Sequence, residues 1–102
     1  MTIEEISVEE LAVRMEDGVV LLDVREADEL RTVRVPGVLH IPLGELTGRA
    51  AEIPEGRLHI ICRSGARSMT ACQQLAALGR DATNIAGGTL AWIDSGRPTE
   101  SG

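Results

Sequence analysis

Short apolar runs alternate with helical patterns along this 102-residue chain. The run at 19–22 is almost unbroken, which is typical of a strand covered on both faces. Other strands are predicted at 2–6, 38–41, 57–61 and 81–85. Strands joined through helices form right-handed crossovers. We therefore expect an α/β fold, with a doubly wound, mostly parallel five-stranded sheet and helices on both faces.

Five helices are predicted between and after these strands. Ser7 and Glu10 have the spacing of a capping box, so the first helix should follow Ser7 and end near Asp17, before Gly18. The others are predicted at 26–32, 43–51, 68–78 and 89–95. Two glycines weaken the prediction at 43–51. The Gly/Pro/Ser-rich tail from about residue 96 is expected to fray.

Composition limits both the size of the fold and its partners. The length suits one domain, 1–102, and its core must be aliphatic because the chain has no Phe or Tyr. The net charge is −6 and all ten basic residues are Arg, so no nucleic-acid partner is expected. No apolar stretch approaches the ~20 residues of a membrane span, and the amino terminus lacks a signal-peptide pattern. Two cysteines without a disulfide spacing suit a reducing compartment, so a cytoplasmic location is expected.

The segment 62–67 carries the clearest chemical signal. Cys62 lies between a predicted strand and a predicted helix, and Arg63 and Arg67 flank it. Helix amino ends and guanidinium charges favour an ionised thiol and lower its pKa. Gly65 permits a tight loop whose N–H groups form a nest for an anion. The sequence therefore predicts a thiolate nucleophile in an anion-binding loop.

Two polar residues are expected beside this loop. Asp23 and Arg25 follow the strand predicted at 19–22, just as Cys62 follows the strand at 57–61. In open α/β sheets, functional sites lie outside the carboxyl ends of the strands. We expect Asp23 and Arg25 to share one rim with Cys62 and to support its loop through ion pairs or hydrogen bonds.

Four segments together identify a family. They read LDVRE at 22–26, VPGVLHIP at 35–42, CRSGARS at 62–68 and IAGGTLAW at 85–92. In these segments and in their order, the chain resembles the single-domain rhodaneses, which are thiosulfate sulfurtransferases. One difference precedes the turn at 36–37, where the family usually has Gly-His-Ile and this chain has Val33-Arg34-Val35.

The resemblance implies a ping-pong transfer of sulfur. Cys62 would take the outer sulfur of thiosulfate, or of another persulfide donor, and carry it as a persulfide. With thiosulfate the first product is sulfite, and a thiol or cyanide would then accept the sulfur. Independently of the resemblance, Arg63 and Arg67 are expected to attract the dianion, and Arg67 also to hold the loop through backbone carbonyls. A thioredoxin-like or sulfur-carrier protein is a further candidate partner, and neither a metal nor another cofactor is expected. The residues expected to bind substrate are Arg63, Ser64, Gly65, Ala66, Arg67 and Ser68.

The other reactive side chains are expected to be structural. Cys72 falls on the helix arc that faces the core, and His40 and His59 lie within strand patterns. The acidic segment 26–29 should form a solvated face, and the double glycine at 87–88 a turn. Two His and two Cys without ligand-like spacing predict no metal site.

Two other classes of protein stay open from the sequence. A Cys-dependent phosphatase or arsenate reductase also uses Cys and Arg in a cradle loop, but four residues separate Cys62 from Arg67 where the phosphatase-like loop has five. The shorter loop should suit a sulfur atom better than a phosphate. The second class is a non-catalytic binding module, which Cys62 argues against because inactive relatives usually lose the cysteine.

Overall fold

A five-stranded sheet forms the centre of the computed structural model, which describes residues 2–102. The spatial order of the strands is β1-β5-β4-β2-β3, and every neighbouring pair is parallel. The predicted five-stranded α/β fold is therefore confirmed. The strands are β1 (Glu5–Ile6), β2 (Val20–Asp23), β3 (Leu39–His40), β4 (Leu58–Ile61) and β5 (Thr83–Ile85).

Five α-helices connect and follow the strands. They are α1 (Val8–Glu16), α2 (Ala27–Thr32), α3 (Leu46–Arg49), α4 (Ala66–Ala77) and α5 (Gly88–Asp94). The first strand is shorter than the predicted 2–6, and α4 begins two residues before the predicted residue 68. Within residues 2–102, no helix has the length and apolarity that crossing a membrane requires.

The single helix predicted at 43–51 is wrong. In its place, α3 is one short α-helical segment between two 3₁₀ turns, Leu43–Glu45 and Ala50–Glu52. Glycine costs about 1 kcal/mol relative to alanine inside a helix, and Gly44 and Gly48 both stand in this stretch. A continuous helix is therefore unfavourable there.

The sheet separates two apolar clusters, so helices cover both of its faces as predicted. Ile60 belongs to the cluster that also contains Leu75 of α4. Its neighbour Ile61 belongs to the other cluster, together with Leu11 of α1 and Trp92 of α5. Successive strand residues point to opposite faces, which explains this division. Cys62 continues the alternation and joins the cluster on the α4 face.

Helix α1 begins with half of the predicted capping box. The Ser7 hydroxyl oxygen accepts a hydrogen bond from the Glu10 backbone N–H at 3.1 Å. The reciprocal bond, in which the Ser7 N–H would donate to the Glu10 carboxylate, is not among those formed within residues 2–102. The Glu10 carboxylate instead accepts from Arg14 Nε at 3.1 Å, one turn further along the helix. The guanidinium is a charged donor and competes well with a backbone amide.

The tail after α5 is hydrogen-bonded to the body of the domain, where fraying was expected. Trp92 Nε1 donates to the carbonyl oxygen of Pro98 at 2.8 Å. Arg34 and Glu100 exchange two backbone hydrogen bonds, each of 2.9 Å. Arg34, which differs from the family pattern, therefore lies against the tail.

His59 is a buried base near the amino end of β4. It is 1% exposed, and its Nε2 lies 3.2 Å from Arg14 Nη1. Arginine can only donate, so Nε2 accepts, and the neutral ring carries its proton on Nδ1, 3.3 Å from the Arg57 carbonyl oxygen. Burial lowers the pKa of His59, and the positive charge of Arg14 acts in the same direction.

This arrangement makes stability depend on pH. The fold favours the neutral ring, so below about pH 6.5 the unfolded chain binds the extra proton first. We expect the free energy of unfolding to fall between about pH 7 and about pH 5, and to fall less in His59→Gln. Urea unfolding of both proteins at the two pH values measures the difference. An identical pH dependence in the variant would contradict this assignment.

Candidate active site

The loop that contains Cys62 joins the carboxyl end of β4 to the amino end of α4. Gly65 precedes α4 directly and has a φ of 114°. Residues with a side chain rarely adopt this left-handed backbone conformation, so glycine is required here. The first N–H groups of α4 have no partner within the helix, and one of them, the N–H of Ser68, acts on the cysteine.

The sulfur of Cys62 lies within hydrogen-bond reach of several donors. The Gly65 backbone N–H donates to Sγ at 3.1 Å, and the Ser68 hydroxyl oxygen lies 3.2 Å from Sγ. Ser68 is fully buried and stands in the first turn of α4. Cys62 itself is 1% exposed. One side of the residue therefore packs in the core, while its sulfur faces polar hydrogens.

Two opposing effects act on the pKa of Cys62. Burial is the largest single effect and raises the pKa, because it disfavours a charged sulfur. The hydroxyl and backbone N–H of Ser68 lower it, and so do the N–H groups of Gly65 and Ser64. The hydrogen bonds prevail together, and the pKa of Cys62 lies below its ordinary value.

The amino end of α5 holds the loop from its outer side. The Thr89 N–H and hydroxyl donate to the carbonyl oxygen of Cys62 at 2.9 and 3.0 Å, and the Leu90 N–H donates to that of Arg63 at 3.1 Å. In a trans peptide, the N–H points away from the carbonyl oxygen. Anchoring these two carbonyls on α5 therefore turns the N–H groups of the following residues to the opposite side.

Gly88 makes this close approach possible. A Cβ atom built on Gly88 would lie 2.6 Å from the carbonyl oxygens of both Cys62 and Arg63. Its φ of 58° is also in the left-handed region. The sequence predicted a turn at 87–88, and the double glycine was the available signal for a close backbone contact.

Arg67 forms an ion pair with Glu29 of α2. Its Nη1 and Nη2 each donate to a different carboxylate oxygen of Glu29, both at 2.8 Å. Bonds from Arg67 to loop carbonyls were expected and are not formed within residues 2–102. The prediction that 26–29 is a solvated face is wrong for Glu29, whose side chain is only 26% exposed. Hydrogen bonds from Arg67 hold the pKa of Glu29 down at about 2.

Asp23 and Arg25 form a second, fully enclosed ion pair on the same rim. Arg25 Nη2 donates to Asp23 Oδ2 at 2.8 Å and to the Val33 carbonyl oxygen at 2.9 Å. Within residues 2–102, neither side chain bonds directly to the segment 62–68. Their link to the loop is through Val24, whose N–H donates to the carbonyl oxygen of Ile61, the residue before Cys62, at 3.1 Å.

Three other loop residues face outward. Arg63, Ser64 and Ala66 are exposed, and Arg63 has no ion-pair partner among residues 2–102. Arg63 borders a cleft of about 210 Å³ between α2 and α5. Of the two flanking arginines, Arg63 is therefore the one whose charge is available to an incoming anion.

Asn84 of β5 supports the loop from beneath and was not predicted. It is fully buried, and its Nδ2 donates to the Gly65 carbonyl oxygen at 3.2 Å and to Glu5 Oε2 at 2.7 Å. A polar residue in a short strand gives no sequence signal for such a role. Only the pairing of β5 with β4 brings it under the loop.

The second cysteine lies in different surroundings. Cys72 is fully buried in the cluster under α4. Burial raises its pKa to about 12, and the neighbouring Cys62 charge contributes in the same direction. Cys72 therefore stays a thiol at neutral pH. His40, from β3, contacts the rim through its Nε2, 2.7 Å from the Arg25 carbonyl oxygen.

Comparison with known proteins identifies the class. Residues 7–95 match the family model described as Rhodanese-like domain. A sulfurtransferase of Allochromatium vinosum is 38% identical over 100 residues, which are 94% of each chain. Thiosulfate sulfurtransferase 18 of Arabidopsis thaliana is 33% identical over 100 residues, 82% of this chain and 74% of that protein.

Solved structures agree with this result. The crystal structure of a rhodanese-related protein from Thermoplasma volcanium has a TM-score of 0.89 and 28% identity, and the match covers 95% of this chain and 97% of that one. The chain therefore belongs to the rhodanese-like family. Its relatives that are named sulfurtransferases support a sulfurtransferase activity.

The contact between α5 and the loop can be tested with Gly88→Ala. The added methyl group would meet two backbone oxygens, so we expect a loss of stability of more than about 2 kcal/mol and a displaced loop. Gly18→Ala is the control, because Gly18 also has a positive φ but nothing within 4 Å of its Cβ position. It should cost only about 1–2 kcal/mol. Equal urea-unfolding losses in the two variants would show that the contact is unimportant.

The ion pair between Arg67 and Glu29 can be tested with Glu29→Gln. A depressed carboxyl pKa adds stability above the unfolded value of about 4.3, and this is lost as the pH falls towards 2. We expect the variant to be about 1 kcal/mol less stable at neutral pH and equal to the wild type near pH 2. Glu52→Gln, which breaks the more exposed pair with Arg49, should have a smaller effect in the same unfolding measurement.

Proposed function

We propose that this protein is a sulfurtransferase that carries sulfane sulfur on Cys62, with thiosulfate as donor. The observation that carries the proposal is the position of Sγ, which is buried yet bonded by the Gly65 N–H and placed beside the Ser68 hydroxyl. A lowered pKa makes more of the thiol available as thiolate, which is the form that attacks sulfur. The same donors would stabilise a singly charged persulfide in the loop.

The first half-reaction forms the persulfide. The Cys62 thiolate attacks the outer sulfur of thiosulfate, the S–S bond of the donor breaks, and sulfite leaves with the bonding electron pair. Arg63 is exposed and unpaired within residues 2–102, which suits binding of the sulfonate oxygens. The backbone of 64–66, including the N–H of Ser64, and the hydroxyl of Ser68 would line the bound sulfur. Arg67 would position the loop through Glu29.

The second half-reaction regenerates the thiolate. Cyanide or a thiolate attacks the terminal sulfur of the persulfide, and the Cys62 thiolate is the leaving group. Atoms and charge balance without a metal or another cofactor. We further propose a thioredoxin-like or sulfur-carrier protein as a physiological partner, and a cytoplasmic location. Both cysteines are free, which suits a reducing compartment.

The loop is less suited to a phosphatase than to a sulfurtransferase. Both terminal nitrogens of Arg67 are already engaged by Glu29, so this guanidinium is not free to grip a phosphate. The loop is also one residue shorter than the phosphatase-like spacing. The lowered pKa of Cys62 favours a nucleophile over a binding module without chemistry.

Intact-protein mass measured after mixing with thiosulfate tests the proposal. We expect a gain of one sulfur atom on the wild type and on Cys72→Ser, and none on Cys62→Ser. Addition of cyanide should return the original mass and release thiocyanate. Cys72→Ser is the matched control, because it removes the other thiol of the chain.

Either of two outcomes would reject the proposal. One is an unchanged mass of the wild type with thiosulfate and also with a persulfide donor such as glutathione persulfide. The other is turnover of p-nitrophenyl phosphate that exceeds thiocyanate formation, which would instead support the phosphatase reading.

A further inference from the structure

Asn84 is a fully buried amide beside the strand that carries the reactive cysteine. In the register of β5 and β4 it is paired with Ile60. Successive strand residues point to opposite faces, so Cys62, two residues after Ile60, lies on the face that Ile60 shares with Asn84. An amide buried in an apolar layer costs free energy unless it is hydrogen-bonded. The hydrogen bonds of Asn84 therefore indicate its role.

Both hydrogens of the Asn84 amide are used. Nδ2 donates to Glu5 Oε2 of β1 at 2.7 Å and to the Gly65 carbonyl oxygen at 3.2 Å. A carboxylate and a carbonyl can only accept, which fixes the orientation of the amide. Its Oδ1 is buried and accepts no hydrogen bond from residues 2–102. The polar contacts of this side chain are therefore those of Nδ2, and one of them reaches the loop.

The bond to Gly65 acts beside the peptide group that bonds the sulfur. The N–H that donates to Cys62 Sγ at 3.1 Å belongs to the peptide between Ser64 and Gly65. On one side of this peptide, α5 holds the carbonyl oxygen of Arg63. On the other side, Asn84 holds the carbonyl oxygen of Gly65. Two anchored neighbours restrict the rotation of the planar peptide between them.

Glycine makes this restraint necessary. Gly65 has no side chain, so backbone angles far from its φ of 114° are also open to it. Its carbonyl oxygen accepts from the Met69 N–H at 3.2 Å as well, but that bond links Gly65 only to the helix that begins there. Asn84 links it to the sheet. We propose that Asn84 is a positioning residue for sulfur transfer, which keeps the Gly65 N–H directed at Cys62 Sγ by holding the Gly65 carbonyl. Its importance for catalysis rests on the proposed function.

A thiolate titration tests the proposal without using the activity. The Gly65 N–H is one of the donors that lower the pKa of Cys62, so a misdirected N–H should raise it. The chain has no Tyr, so no phenolate overlaps the ultraviolet absorbance of the thiolate, and the difference from Cys62→Ser isolates Cys62. In Asn84→Leu, which keeps the branched shape but cannot donate, we expect the pKa of Cys62 to rise by about one unit.

The pH dependence of persulfide formation from thiosulfate gives a second readout. Because the thiolate is the nucleophile, the rate in Asn84→Leu should fall about tenfold at pH values below the wild-type pKa of Cys62. Well above the pKa values of both proteins, the two rates should agree within about twofold. Asn84→Val, whose side chain suits a strand, repeats both measurements with a smaller side chain. Urea unfolding establishes that each variant is folded.

Thr83→Val is the matched control. The Thr83 hydroxyl donates to Glu4 Oε1 at 2.6 Å, so this change also removes a hydrogen bond between β5 and a carboxylate, but none to the loop. It should leave the pKa of Cys62 unchanged.

Three results would overturn the positioning role. They are an unchanged pKa of Cys62 in the folded Asn84 variants, an equal rise in Thr83→Val, and a rate that is lowered by the same factor at every pH. Absence of a persulfide on the wild type would instead reject the proposed function, and the titration would still decide whether Asn84 acts on Cys62.

Discussion

The hydrogen bonds from the amino end of α5 to the carbonyl oxygens of Cys62 and Arg63 are the interaction on which the site depends. A short loop with free carbonyls could present either oxygens or N–H groups to the sulfur. By binding the two oxygens, Thr89 and Leu90 turn the N–H groups of the same two peptides, those of Arg63 and Ser64, to the inner side of the loop. Gly88 permits the contact because a side chain would collide with both oxygens. The free-energy cost of burying an ionised sulfur is then offset by N–H donors, whereas carbonyl oxygens pointing at the sulfur would add to that cost.

The arginines around this loop are of two kinds: Arg25 and Arg67 form ion pairs, and Arg63 is in none among residues 2–102. Glu29 binds Arg67, and Asp23 binds Arg25. These two ion pairs hold the segment around α2 to the rim, and the two paired guanidinium groups are not free to bind an anion. Arg63 keeps its charge for an anion. The thiolate is therefore stabilised mainly by hydrogen bonds, which act at contact distance, and an anionic donor need not displace an arginine from the sulfur.

The sequence predictions succeeded where the signal was local. The strand at 19–22, the cap at Ser7 and the placement of Cys62 between a strand and a helix all follow from neighbouring residues. They failed where context decided. Gly44 and Gly48 prevent a continuous helix at 43–51. The Gly/Pro/Ser-rich composition predicts a frayed tail, whereas Trp92 binds the carbonyl oxygen of Pro98. Glu29 has the sequence pattern of an acidic residue on an exposed helix, because its partner Arg67 lies 38 positions away in the chain.

The sequence by itself determined the alternation of strands and helices, the family, and the cysteine in a glycine-containing loop, because hydrophobic periodicity and turn chemistry act over a few residues. Tertiary structure alone decided which groups surround that cysteine. Thr89 is 27 positions from Cys62, and Glu29 is 38 positions from Arg67. Parallel strands end on one edge of a sheet, so residues distant in the chain meet there, and only the folded order β5-β4-β2 makes these partners neighbours.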